Sequence, residues 1–155
     1  MSQIHQDNKE LVQDASWKVA DELISNLRRW GIVYLVGLEH DAPMLETHYL
    51  SPIDLIQQLA NLRDNARIRD ASISLFLLHP ELSKAILQAI QISEPAVAEQ
   101  IITLILAALY LQRKWSIRLA LASGHLPALP EAPFAQFWQQ RHLPAPACYH
   151  GEWGL

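Results

Sequence analysis

Apolar residues recur along most of this chain at steps of three and four, the spacing of one face of an α-helix. Val12, Ala15, Val19, Leu23, Leu27 and Trp30 follow that rhythm and predict a first helix from about Asp7 to Trp30. Asp7 is suited to cap its start. Arg28 and Arg29 fall in the last turn, where the helix dipole favours cations, and Gly31 follows as a left-handed stop. The next run, Ile32-Val33-Tyr34-Leu35-Val36, lies between Gly31 and Gly37 and is the one strand-like stretch. It predicts a short extended segment near 32–36. Residues 39–50 read as a polar loop.

Ser51-Pro52-Ile53-Asp54 carries three helix-start signals together: an N-cap serine, a proline for the first turn and an early acid. Leu55, Ile56, Leu59 and Leu62 then supply the stripe, with a break expected near Asp64–Asn65. A third helix is predicted from Ala66 to Leu78, on Ile68, Ala71, Leu75 and Leu78. His79-Pro80-Glu81 restarts the chain into a fourth, on Leu82, Ala85, Ile86, Ala89 and Ile90. These two read as an antiparallel hairpin. Ser93 and Pro95 open a long final helix, expected to reach Ala122 or Ser123 and apolar on almost every side between 97 and 111. Such a helix belongs at the centre of a bundle or at a subunit interface.

Beyond Leu126 the pattern changes. Prolines at 127, 130, 133, 144 and 146 bracket one short helical patch, 134–140, and Phe137, Trp138, Tyr149 and Trp153 accompany them. Disordered segments are poor in aromatics, so a strap pinned to the helices or to a partner is expected. The predicted fold is therefore all-α: a compact bundle of about five helices, with an extended segment near 32–36 and a proline-rich C-terminal strap. Its 155 residues suit a single domain, here a helical core over 1–125 followed by the tail 126–155.

Composition narrows the function classes. One cysteine, Cys148, excludes an internal disulfide and cysteine-rich zinc modules, and fits a reducing compartment. The polar start MSQIHQDNKE lacks the order of a secretory signal. The longest apolar run, 101–111, is shorter than the roughly 20 residues that cross a bilayer. A soluble, cytoplasmic protein without a membrane partner is expected. The formal charge of −4 gives no general attraction to nucleic acid, but its distribution is uneven. Residues 1–62 hold nine acids against four bases, and residues 63–126 hold seven bases against five acids. No acid falls between Glu99 and Glu131, while Arg113, Lys114 and Arg118 do.

That basic helix end supplies the main candidate surface. Arg113, Lys114, Trp115 and Arg118 combine cations with an aromatic, which suits a protein interface and, as an alternative, phosphate contact with base stacking. Trp138 and Trp153 join them as candidate binding residues. Arg118 and His125, with six residues between them, satisfy an Arg-x(4–6)-His spacing and so resemble the paired residues of the HEPN helical ribonucleases. The resemblance covers these two positions, and Leu119 departs from it where that family commonly has a polar residue. It implies metal-independent RNA cleavage by Arg118 and His125, as in a toxin–antitoxin or defence component. Seven residues of helix separate the two by about 10.5 Å, so a dimer would have to bring copies together.

Other polar clusters read as structural. Glu39, His40, Asp41, Glu46 and His48 are ligand types whose spacing matches no standard metal motif. His79 reads as a local cap, Asp64 and Asp70 among Arg63, Arg67 and Arg69 as surface ion pairs, and Cys148 as an incidental thiol. With five glycines and no glycine-rich phosphate loop or nucleophile elbow, no metal or cofactor is expected. The reading that best fits is a non-catalytic helical interaction module, an accessory or adaptor subunit acting through a homo- or hetero-oligomeric interface.

Overall fold

The computed structural model describes residues 22–33, 48–62, 65–123 and 128–148, with Ala120, Ala122 and Ser123 described by their backbone alone. The fold is an all-α bundle, and no strand occurs among the described residues. It divides into two units, 1–50 and 51–155. The boundary falls at Ser51, the residue whose side chain begins a helix. Residues 7–21 of the first predicted helix and residues 34–36 of the strand-like run lie outside the described residues.

In the first unit, residues 22–29 form helix α1. Gly31 ends it at φ 75°, in the left-handed region that a side chain would disfavour. The Ile32 N–H donates to the Leu27 carbonyl at 3.0 Å and the Gly31 N–H to that of Arg28 at 2.9 Å, the two bonds of a Schellman stop. Leu23, Leu27 and Ile32 are buried. Residues 48–50 are held to α1 by one side chain, Asn26. Its amide donates to the carbonyls of Glu22 at 3.0 Å and His48 at 3.2 Å. Its oxygen accepts the Leu50 N–H at 3.1 Å.

The second unit begins with α2, Pro52–Asn61. Ser51 caps it by accepting the Asp54 N–H at 3.2 Å, and its hydroxyl donates to the Asp54 carboxylate at 2.6 Å. Helix α3, Ala66–Leu78, is capped by Asn65, whose side chain accepts from Arg67 and Ile68. A 3-10 turn, Pro80–Leu82, leads into α4, Ser83–Ile92. Helix α5, Pro95–Lys114, follows, then α6, Ser116–Ser123. The tail holds a 3-10 turn, Ala132–Phe134, helix α7, Ala135–Gln140, and a last 3-10 turn, Pro146–Cys148.

Helix α5 is the axis of this unit and packs against α2, α3 and α4. Ile101, Ile102, Leu104, Ile105, Leu106, Ala108 and Leu109 are all buried. By length and composition it could cross a membrane, but a helix that is apolar on all sides also results from being enclosed by other helices, and α5 is enclosed in this way.

Two expectations require correction. Helices α3 and α4 are not an antiparallel hairpin: the chain bends by 95° between Ala66–Leu78 and Pro80–Ile92. His79 precedes a proline and so is kept out of the helical region, sitting at φ −127°, ψ 67°. That turns the chain a corner, and α3 packs chiefly on α5 while α4 packs on α2 and α5. The second correction concerns the last long helix, which does not run unbroken to Ser123. It stops at Lys114, and Trp115 stands at φ −115°, ψ 18° before α6 starts. Neither Gly nor Pro marks this break. The apolar spacing continues through it, which hides it from pattern reading.

The strap is pinned to α5 within its own unit. Leu129, Phe134, Phe137, Trp138 and Pro146 are buried, and burying each aromatic contributes about 1.5–3 kcal/mol. The Gln112 side chain meets the Leu129 backbone twice: its amide nitrogen donates to the carbonyl at 3.1 Å and its oxygen accepts the N–H at 2.6 Å. Arg113 donates to Glu131, and Arg141 to Glu99. The Tyr110 hydroxyl donates to the Pro144 carbonyl at 2.7 Å.

Candidate interaction surface

Helix α6 leaves the end of α5 with apolar residues on two opposite sides. Trp115 and Leu119, one helical turn apart, line one side of a cavity of about 200 Å³. Asp70, Ile73, Ser74 and Leu77 of α3 and Leu111 of α5 complete it. The break at Trp115 thus turns an aromatic and a leucine toward α3. The opposite side of α6 carries Ile117 and Leu121, again one turn apart, and these are 68 % and 82 % exposed. Burying such side chains is worth about 1.5–3 kcal/mol each, and here most of that is unused. Trp115 itself remains 46 % exposed.

Cations interleave with the outer aliphatics. Lys114, Ile117, Arg118 and Leu121 stand at i, i+3, i+4 and i+7, and all four are exposed. The Arg118 guanidinium lies 5.7 Å from the centre of the Trp115 ring, within cation–π range. That contact orients Arg118 without neutralising it. Arg113 is engaged differently, since it is ion-paired with Glu131 of the strap.

Of the other candidate residues, Trp138 is 7 % exposed and its surface is spent inside the second unit, while Trp153 and His125 lie outside the described residues. So do Glu39, His40, Asp41 and Glu46 of the polar loop, and Arg63 and Asp64. His48 is exposed, and among the described residues no group of three ligand-type side chains converges. Arg67, Arg69 and Asp70 are exposed. Cys148 is an exposed free thiol.

His79 closes α3 as its C-cap, donating its N–H to the Leu75 carbonyl at 2.9 Å. Its ring Nδ1 lies 2.8 Å from the Glu81 carboxylate. Partial burial pushes the Glu81 pKa up, but the hydrogen bond from His79, the backbone N–H of Glu81 and the His79 charge outweigh it. The carboxyl is held below its ordinary range.

No family model, curated protein or solved structure matches the chain. Two features of the surface escaped sequence reading. The outward side of α6 was hidden because a continuous helix was expected there. The clamp by Gln112 depends on a strap that returns from residues further along the chain, and one glutamine on a helix gives no local sign of it.

Proposed function

We propose that this chain is a non-catalytic interaction module, an accessory or adaptor subunit, and that the outer side of α6 is its docking surface. The observation that carries the reading is the exposure of Ile117 and Leu121 on a helix whose other side is already apolar and turned toward α3. A helix apolar on both sides is suited to being enclosed, and contiguous exposed apolar groups mark interaction sites. The cations beside them add orientation and recruitment to the apolar contact.

The test is the size of the assembly the chain forms, alone and in an extract of its own cells, measured by sedimentation. The wild type is expected above its monomer mass of 17.6 kDa in at least one setting. The double variant Ile117→Asp/Leu121→Asp is expected at the monomer mass in both, with its melting temperature unchanged because neither side chain is buried. A wild type that stays at the monomer mass in both settings overturns the reading. So does a double variant that assembles normally.

A further inference from the structure

We propose that the outer side of α6 receives an acidic amphipathic helix from a different protein. This rests on the reading of α6 as a docking surface and names the chemistry of its occupant. Ile117 and Leu121, one turn apart, form a ridge on α6 with Arg118 beside it, and Lys114 stands at the end of α5 just before the break; all four are exposed. Ridges at that spacing fit the grooves of a second helix. An occupant with leucine-like residues at i, i+3 and i+7 and glutamates between them would bury both aliphatics and pair both cations.

The charges favour an acidic occupant. No acid occurs in the chain between Glu99 and Glu131, and Glu131 is taken by Arg113. Asp70, the acid at the cavity, stands with Trp115 and Leu119 on the other side of α6. The outer side of α6 therefore presents Arg118, with Lys114 just before the break, and α6 carries no carboxylate of its own. A second copy of the chain fits poorly. A two-fold pairing of this side would bring the cations of both copies to one seam with no carboxylate from α6 to offset them, and like charges gathered at an interface are unfavourable.

Other anionic partners fit less well. Trp115 lines the cavity with α3 and has Arg118 over its ring, and Ile117 and Leu121 offer no ring on which a base could stack. Helices that lie in a membrane surface separate a broad apolar face from their cations, whereas on α6 Arg118 stands beside Ile117 and Leu121. An interleaved pattern suits a partner that matches it position by position.

The experiment uses the full chain and two designed helical peptides labelled with fluorescein, read by fluorescence anisotropy. One peptide carries leucine and glutamate at the matching spacing, and the other replaces each glutamate with lysine. The acidic peptide is expected to bind, about tenfold or more tighter than the basic one, with affinity that falls as salt is raised. Lys114→Glu/Arg118→Glu is expected to reverse the order of the two peptides, which a merely structural role of these residues would not do. Leu121→Asp is expected to abolish binding of both.

Equal affinity for the two peptides overturns the proposal, as does binding of neither. Tighter binding to a single-stranded RNA oligonucleotide, or to phosphatidylserine vesicles, also overturns it. The sedimentation result separates this failure from failure of the docking surface itself. If Ile117→Asp/Leu121→Asp still dissolves the native assembly while the acidic peptide does not bind, the surface stands and its acidic occupant does not.

Discussion

Helices α5 and α6 are neighbours in the chain with similar apolar content, yet their surroundings differ. In α5 the buried residues run through positions 101–109 on nearly every side, and α2, α3 and α4 pack around it. In α6 one side lines a cavity with α3 and the other, with Ile117 and Leu121, is exposed. Apolar content alone therefore does not separate a core helix from a docking helix. The number of sides that find cover within the same chain does.

The sharpest way to break the comparison is to truncate one aliphatic in each helix. Ile105 is fully buried, so Ile105→Ala is expected to cost about 2–5 kcal/mol through lost burial and the cavity left behind. Leu121→Ala is expected to change stability by less than about 0.5 kcal/mol while weakening assembly. Urea unfolding of the two variants measures the first quantity and sedimentation the second. If the two variants lose similar stability, α6 is covered after all.

A smaller effect is expected where the strap gives α5 part of its cover. Gln112→Ala removes both partners of the Leu129 backbone and leaves a part-buried donor and acceptor unpaired. A loss of about 1–3 kcal/mol is expected, seen as a lower urea midpoint and as faster hydrogen exchange at Leu129. Unchanged exchange there would show that the strap holds without its clamp.

The smallest effect concerns the stop of α7. His142 occupies the left-handed region at φ 52°. Its N–H donates to the Gln139 carbonyl at 3.0 Å and the Leu143 N–H to that of Trp138 at 2.9 Å. The geometry is that of the Gly31 stop, with a side chain where α1 has none. His142→Gly is expected to stabilise the second unit by about 1 kcal/mol, read as a higher melting temperature. Gly31→His is expected to destabilise by a similar amount, although a Cβ at Gly31 meets no atom within 4 Å. The cost there is conformational and not steric crowding from neighbours.

The parts of the fold legible in the sequence are those set by local chemistry. Ser51 with Pro52 and the glycine at 31 each act within a few residues, and they marked element ends correctly. Asn65 falls where a break was expected and caps the helix that follows. What stayed hidden depends on residues distant in the chain. The break at Trp115 follows no local breaker, and the use of Gln112 depends on the returning strap. Asn26, between Leu23 and Leu27 in the sequence, gave no such local sign. A polar residue there must find partners when buried, but naming Glu22, His48 and Leu50 needs the fold. For the candidate surface, Arg113 and Lys114 close α5 while Arg118 belongs to α6. Their division into a paired Arg113 and an exposed stripe was not readable.

Gln112 and Arg113 are consecutive on α5, and they hold Leu129 and Glu131, which are two apart on the strap. Pro130 stands between those two and has no N–H to offer, so the strap presents its amide pair at Leu129 and its carboxylate one step beyond the proline. Adding or deleting a single residue between 129 and 131 would leave one tie reachable and carry the other out of reach. That short stretch is therefore a length gauge: variants of this chain can be expected to change its letters more freely than its spacing.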